Sequence, residues 1–252
     1  MFETRCLPRL ERVLPRQVIR TLHLRVAMMP ESDLDQLIAP VYTKYTNPAT
    51  TVLAAPGDIQ VFLRGRCAQE SEAEALLGEV GPQIEALLGD RIYSRNGDPL
   101  EAVIGSLLRE RHATLSVAES ATGGMLAERI TSIPGSSDFF AGGFLVYNDQ
   151  MKHALLGVDE VVLRQHTAVS EPVAEAMAAG ARRATGSTIA ISITGVAGPT
   201  GGTESTPAGT FFIGLADPAS CRARHYRFLG DRDRVRLLAT QTALDLLRRS
   251  LR

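Results

Sequence analysis

The feature that most constrains the fold is the alternation of strand-like and helix-like segments after residue 98. Short apolar runs with the composition of buried strands are interspersed with segments whose apolar residues repeat at helical spacing. The predicted strands cover 114–118, 144–147, 188–194 and 209–216, and the predicted helices cover 123–131, 150–156, 170–184 and 233–250. This order predicts an α/β domain of the sandwich type, in which helices cover a sheet.

The start of this domain has its own signal. Asp98-Pro99 has the composition of an N-cap followed by proline at the first helical position, and apolar residues from Leu100 to Leu108 then repeat at helical spacing. We therefore place the domain at 98–252, after a turn-rich boundary at 94–97.

The preceding residues, 16–92, predict a small α+β domain. Alternating apolar residues predict strands at 18–26 and 58–64, and helical spacing predicts helices at 30–38 and 71–88. Residues 1–15 have the character of a linking piece too short to fold alone.

Composition excludes several classes of protein. A formal net charge of -1 gives no basic excess for phosphate backbones, which argues against nucleic-acid binding. Gly78–Gly81 formally matches the Gly-x-x-Gly loop of some RNA-binding domains, but it lies in a helical pattern without flanking basic residues.

Three separated cysteines argue against a disulfide framework, and no segment has the length of a membrane span or the pattern of a signal peptide. These observations predict a cytoplasmic protein.

Two turns have the character of ligand-binding loops. Glu119–Gly124 follows a predicted strand and precedes a helix, where amides attract phosphate; the alternative is that Ser120 and Thr122 only cap the helix. Thr194–Gly202 contains four glycines within eight residues, which allow close approach of backbone to a ligand. Neither turn has a dinucleotide or P-loop fingerprint.

Hydroxyl and amine groups cluster between these turns. Ser137, Tyr147 and Lys152 would suit amide chemistry, because a lysine desolvated among apolar neighbours can serve as the base for a serine. The residues alone leave open that Ser137 is a helix cap, Tyr147 a core residue and Lys152 a solvated helix residue. The five histidines are scattered, so we expect no metal site.

Six motifs in series resemble one family. They are Ala118–Gly124, Gly135–Ser137, Tyr147-Asn148 with Lys152, Val169–Pro172, Gly195–Pro199 and Gly230–Arg232. Together they resemble the CinA family of competence/damage-inducible proteins, whose C-terminal domain is known as a nicotinamide-nucleotide amidohydrolase. The resemblance covers about residues 98–252. Residues 16–92 more weakly resemble the family's KH-like middle domain, in which Ala27–Pro30 replaces a Gly-rich turn.

The resemblance implies a role for each matching residue. Ser137 would be the nucleophile, Lys152 its base, Tyr147 a supporting hydroxyl and Ser120 a residue that orients the site. Arg232 would contact an anion or the substrate. The two glycine-rich turns would hold the nucleotide through Thr122, Gly123, Gly124, Gly195, Ala197 and Gly198. Ala121 departs from the cysteine of many relatives.

The implied reaction is deamidation of nicotinamide mononucleotide to nicotinate mononucleotide and ammonia, with neither metal nor cofactor, in a homodimer. Longer relatives begin with a molybdopterin-binding-like domain, and residues 1–15 resemble the end of its linker. Two alternatives remain open: a non-catalytic nucleotide-binding or competence-associated accessory protein, and a remnant of an enzyme with two activities.

Overall fold

The computed structural model describes residues 2–13 and 17–252, and the chain divides into two compact units, Met1–Asp98 and Pro99–Arg252. The predicted linking piece and small domain thus include four positions, 1 and 14–16, outside the described residues. The described chain begins with a π-helical turn at Phe2–Cys6 and helix α1 (Leu7–Val13). None of the side chains described in these two elements is buried.

The first unit is an antiparallel sheet with two helices packed on it. Its further elements are β1 (Val18–Ala27), α2 (Glu31–Tyr42), β2 (Ala49–Ala55), β3 (Asp58–Cys67), α3 (Glu70–Leu88) and β4 (Ile92–Ser94). The strand order is β2-β3-β1-β4. Alternate residues of β1 and β3, such as Leu24 and Val61, meet Ile38 of α2 and Ile84 of α3 in one core. The predicted α+β arrangement is confirmed.

Two details of this unit bear on the sequence predictions. Gly78–Gly81 lies inside α3, as its helical pattern indicated, and so does not form a loop. Strand β2 was not predicted. Its sequence, Ala49–Ala55, is rich in threonine and alanine and none of its side chains is fully buried, so its apolar pattern is weak.

The second unit is a five-stranded mixed sheet with helices. Its elements are α4 (Leu100–Glu110), β5 (Leu115–Glu119), α5 (Met125–Thr131), β6 (Phe140–Leu145), α6 (Asp149–Leu156), α7 (Glu160–His166), α8 (Glu171–Thr185), β7 (Ile189–Gly195), β8 (Thr210–Ala216), β9 (Cys221–Arg227) and α9 (Arg232–Ser250). The strand order is β6-β5-β7-β8-β9, with β5 parallel to β6 and β7, and with β8 antiparallel to both its neighbours.

Helices cover both faces of this sheet, as the alternation predicted. Ala190 packs in the cluster that contains Val173 and Met177 of α8, and the Ser192 hydroxyl donates to the Ala174 carbonyl oxygen of the same helix at 2.5 Å. Ile191 therefore points to the opposite face. Helix α9 contacts β7 and β8 and packs with α4 and α5.

The two edges of the sheet differ in charge. Strand β9 has an alternating polar sequence that includes exposed Arg222, Arg224 and Arg227, whereas β6 carries no charged residue. Exposed charges protect an edge strand from pairing with another chain. Strand β9 was not predicted, because its mostly polar sequence obscures the alternation of apolar and polar residues that indicates a strand.

Some predicted boundaries were wrong. Helix α4 begins at Leu100 with Pro99 in the N-cap position, and no side chain caps it, so Asp98 is not the cap. Strand β6 lies at Phe140–Leu145 and not at 144–147, because its two central glycines conceal a strand pattern. Helix α7, which was not predicted, has a side-chain cap from Asp159 to the Val161 amide at 2.7 Å.

Candidate active site

A cavity of about 270 Å³ lies where the parallel strands β5 and β7 end. The carboxyl ends of parallel strands meet at one edge of a sheet, where ligands of α/β proteins bind. Five segments line the cavity: Ser120-Ala121 after β5, residues 147–152, Ala168-Val169 before α8, residues 194–201 after β7, and Arg232. The site is thus assembled from distant parts of the second unit.

Lys152 is the most buried charged residue of the cavity. The Asn148 side chain caps α6 by accepting from the Met151 amide at 2.8 Å, which places Lys152 and Leu156 on the buried face of this helix. Lys152 is 1% exposed, and its Nζ atom lies 3.5 Å from Oδ1 of Asp149. Burial lowers the pKa of Lys152 from its ordinary value of 10.5, although the Asp149 charge opposes this shift. The alternative that Lys152 is a solvated helix residue is wrong.

Ser120 is the hydroxyl that shares this cavity with Lys152. Its backbone is fixed, since its amide donates to the Ile193 carbonyl oxygen at 3.0 Å and its carbonyl oxygen accepts from Gly123 at 3.1 Å. The residue is 8% exposed. Among the described residues its hydroxyl has no hydrogen-bond partner and does not cap α5, so the capping alternative for Ser120 is wrong. The hydroxyl is available to a ligand.

Glu119, which was missed in the sequence analysis, occupies the start of α5. Its buried carboxylate accepts hydrogen bonds from the Thr122 hydroxyl at 2.7 Å and from the amides of Gly124, Leu126 and Ala127 at 3.1, 3.0 and 2.8 Å. These amides are therefore satisfied within the chain. A carboxylate at the end of a buried strand and before a helix is the signal that could have indicated this cap.

This arrangement affects three predicted substrate contacts. Thr122 is fully buried, and neither it nor Gly123 nor Gly124 lines the cavity. The Arg236 guanidinium also binds the Thr122 carbonyl oxygen, at 2.7 Å. The predicted phosphate contact through the Gly124 amide is wrong, because the Glu119 carboxylate already receives this amide, as it does those of Leu126 and Ala127.

The second glycine-rich turn does line the cavity. Gly195, Ala197 and Gly198 all contribute to it, together with Lys152. Gly195 is required by close packing, since a Cβ atom there would lie 2.4 Å from the Phe211 ring. The Val196 amide donates to the Thr210 carbonyl oxygen at 2.8 Å, which ties the turn to β8.

Arg232 and Tyr147 form the opposite wall. Arg232 is the first residue of α9, after the N-cap Asp231. Its guanidinium donates to the Gly198 carbonyl oxygen at 2.9 Å and to the Tyr147 hydroxyl at 3.4 Å. Tyr147 is 63% exposed, so the alternative that it is a core residue is wrong. A guanidinium with remaining donors at a cavity rim is suited to an anionic group.

Ser137 does not lie at the cavity of its own chain. It is exposed in a 3-10 turn, Ser136–Asp138, immediately before β6, whereas Tyr147 and Lys152 follow the other end of β6. At about 3.3 Å per residue the six residues of β6 separate these groups by roughly 20 Å. The prediction that Ser137 and Lys152 react with each other is therefore wrong for a site built by one chain. The turn also has no side-chain cap, so the capping alternative for Ser137 is wrong.

The described residues contain no group of three or more histidine, cysteine, aspartate or glutamate side chains that could hold a metal ion. Cys6, Cys67 and Cys221 are free thiols. None of the helices in the described ranges is sufficiently long and apolar to cross a bilayer.

The mixed sheet, the helices on both faces and the cavity at the strand ends define an α/β protein with a small-ligand site containing a buried lysine, a serine and an arginine. The CinA C-terminal domain family matches residues 97–251, and the family described as "Damage-inducible protein CinA KH domain" matches residues 21–94. The chain belongs to the CinA family. The resemblance stated from the sequence motifs is confirmed.

Relatives and solved structures agree with this assignment. The chain is 64% identical to a CinA-like protein of Solibacter usitatus (strain Ellin6076) and 44% identical to one of Koribacter versatilis (strain Ellin345), with all of this chain and 60% and 61% of those proteins covered. It therefore spans about 60% of the length of these curated relatives.

Among solved structures, the CinA superfamily protein KP700603 from Klebsiella pneumoniae 700603 matches with a TM-score of 0.59 and 34% identity, over 60% of this chain and 95% of that one. A CinA superfamily protein from Escherichia coli matches with a TM-score of 0.57 and 33% identity, over 64% of this chain and 96% of that one.

Proposed function

We propose that the second unit hydrolyses the carboxamide of nicotinamide mononucleotide and releases nicotinate mononucleotide and ammonia. The observation that carries this proposal is a nearly inaccessible lysine in a cavity that also contains Ser120, whose hydroxyl has no hydrogen-bond partner in the described part of the chain. An amine with a lowered pKa can be neutral near pH 7, and a neutral amine can take the proton of a serine. Family membership is consistent with a nucleotide amidase.

The cavity provides a group for each part of the substrate. Lys152 and Ser120 lie at the inner end, where a carboxamide would react, and Arg232 lies at the exposed rim, where it would bind the phosphate. Gly195 and Gly198 form a wall with little side-chain bulk, which leaves room for the ribose and the pyridine ring.

The proposed reaction proceeds in two steps. The Ser120 hydroxyl attacks the carboxamide carbon and its proton passes to neutral Lys152. The Lys152 ammonium then returns this proton to the amide nitrogen as the carbon–nitrogen bond breaks, so that ammonia leaves and an acyl ester of Ser120 remains. Water next cleaves the acyl ester, again with Lys152 as the base, and nicotinate mononucleotide leaves. The predicted nucleophile Ser137 is replaced in this step by Ser120, because the latter shares the cavity with Lys152 within one chain.

The test is ammonia release from nicotinamide mononucleotide by the purified chain. We expect Ser120→Ala and Lys152→Met each to lower kcat by several orders of magnitude, about the loss found when a nucleophile or its base is removed. Lys44→Met is the matched control, since Lys44 is exposed in the first unit and should retain full activity. Because protonated Lys152 cannot act as a base, the activity should fall as the pH decreases through its pKa.

Absence of ammonia release by folded wild-type protein would refute the amidase. Measured binding of the nucleotide under those conditions would instead support the accessory-protein alternative.

A further inference from the structure

The open edge of the second unit's sheet has the character of a protein interface. Within the described residues β6 pairs with a neighbour on one side only. Its sequence contains neither a charge nor a proline, the usual protections of an unpaired edge, whereas β9 at the opposite edge carries three exposed arginines. A register shift affects the start of β6, and its pairing with β5 is regular from Gly142 to Leu145.

The exposed large apolar side chains of the second unit concentrate in β6 and in the segments that follow it along the chain. The large apolar residues that remain exposed on β6, α6, α7 and the loop after β6 are Leu145, Tyr147, Met151, Leu155 and Val161. Within the described ranges, the rest of the second unit has one exposed large apolar residue, Leu229. A concentration of exposed apolar side chains in one part of a fold is typical of a site where another protein binds. We call this set, together with β6, the edge patch.

We propose that a second copy of this chain covers the edge patch and that each copy contributes its Ser137 to the cavity of the other. A strand edge is self-complementary, because its free amides and carbonyl oxygens match those of an identical strand related by a two-fold axis. A two-fold axis perpendicular to the sheet makes the two β6 strands antiparallel. The amino end of one β6 then lies beside the carboxyl end of the other.

This pairing explains the position of Ser137. In a register centred on Gly142, Phe140 lies opposite Phe144 of the partner subunit, and by the same count Ser137 of the partner subunit lies opposite Tyr147. Tyr147 lines the cavity and directly precedes the N-cap of α6. The serine that its own strand holds about 20 Å from the cavity thus reaches the cavity of its neighbour.

Two further observations fit this pairing. Exposed Asp138 would lie near Arg232 across the interface, which brings opposite charges together. The Ser137 turn is also held in place, since Arg109 donates to the Gly135 carbonyl oxygen at 2.8 Å and lies 3.2 Å from the Asp138 carboxylate. A fixed turn on an open edge can present its hydroxyl to a substrate without a large loss of entropy.

The first experiment concerns the interface and does not require activity. Leu145→Glu places a charge in the edge patch, and Leu229→Glu, at an even more exposed apolar residue outside it, is the matched control. In analytical ultracentrifugation we expect the wild type and Leu229→Glu to sediment as dimers and Leu145→Glu as a monomer. A monomeric wild type, or a dimeric Leu145→Glu, would overturn the proposal.

The second experiment concerns the shared site, and it rests on the proposed amidase function. Heterodimers of Ser137→Ala with Lys152→Ala chains are isolated through two different affinity tags and assayed for ammonia release. The Ser137→Ala homodimer should lose about 100-fold in kcat, as when one hydrogen-bond donor to the reacting carbonyl is removed. The Lys152→Ala homodimer should lose several orders of magnitude, because it lacks the base. The heterodimer has one cavity with both groups intact and should recover about half of the wild-type rate.

The matched control is the heterodimer of Ser120→Ala with Lys152→Ala chains. Ser120 and Lys152 line the cavity of the same chain, so both cavities remain defective and activity should not recover. An active wild type together with an inactive Ser137→Ala and Lys152→Ala heterodimer would refute the shared site and leave the amidase intact. An inactive wild type would refute the amidase, while the sedimentation result would still decide the interface.

Discussion

At the scale of single residues, the two lysines of the chain are in opposite environments. Lys44 is exposed, whereas Lys152 is almost completely buried. A buried amine loses hydration and recovers little from the exposed Asp149 carboxylate at 3.5 Å. Lys152 therefore lowers the stability of the fold, as is common for groups retained for chemistry.

Lys152→Met should make the protein more stable as well as inactive. Methionine fills the same volume without a charge to desolvate, so we expect the free energy of unfolding at pH 7 to rise by about 1–2 kcal/mol. Urea denaturation followed by circular dichroism measures this change, and Lys44→Met should leave the free energy unchanged. A clear loss of stability in Lys152→Met would show that the amine is held by favourable contacts.

The stabilisation by Lys152→Met should depend on pH. Because burial lowers the pKa of Lys152 in the folded state, the unfolded chain binds more protons between that pKa and 10.5. The stability of the wild type therefore rises with pH in this window, and the advantage of Lys152→Met shrinks. Denaturation of both proteins at pH 7 and pH 9.5 measures this change. An equal difference in the free energy of unfolding at the two pH values would contradict the prediction.

At the scale of elements, β6 shows what sequence patterns can and cannot determine. The sheet, its covering helices and the turns after β5 and β7 were predicted, because buried strands and helical spacing leave strong local signals. The separation of Ser137 from Lys152 was not. Ser137 and Lys152 are 15 residues apart in the sequence, which suggests that they lie close together in space. Strand β6 lies between them, however, and places the serine at the opposite end of the sheet.

The role of Glu119 was equally hidden from sequence. Its position after four strand residues predicts part of a ligand-binding turn, whereas its carboxylate turns back to cap α5. Only the fold shows that the amides of this helix start are already satisfied. Local propensity identified the turn, and tertiary structure determined its use.

Glu119→Gln should destabilise the second unit. The amide group of glutamine would place a donor against a backbone amide and leave buried groups unpaired, which costs about 2–3 kcal/mol. Glu128→Gln on the exposed face of the same helix is the matched control and should change the stability by less than about 0.5 kcal/mol. Urea denaturation of both variants measures the difference, and equal midpoints would refute the capping role.

At the scale of the whole molecule, each unit has a core of its own. The first contains Leu24, Val61 and Ile84, and the second contains Ala118, Val173 and Met177. The second unit also has a buried polar network, in which Arg129 binds Glu101 and donates to the Gln241 side chain at 2.7 Å. This network joins α4, α5 and α9 within the second unit.

We predict that residues 99–252 fold and retain amidase activity without the first unit. All residues that line the cavity lie in this range, and the core cluster described around Val173 and Met177 is built from residues of this range. Calorimetry of the fragment and of the full chain should give the fragment a cooperative transition within a few degrees of one in the full chain. An unfolded or strongly destabilised fragment would support the alternative of a dependent remnant.

The arginines of β9 have a consequence for how many copies can associate. A sheet that is open at both edges can add copies without limit and grow into fibres, whereas one that repels pairing at β9 has a single edge left. Once two β6 strands have joined, that edge is used, and association stops at a closed pair.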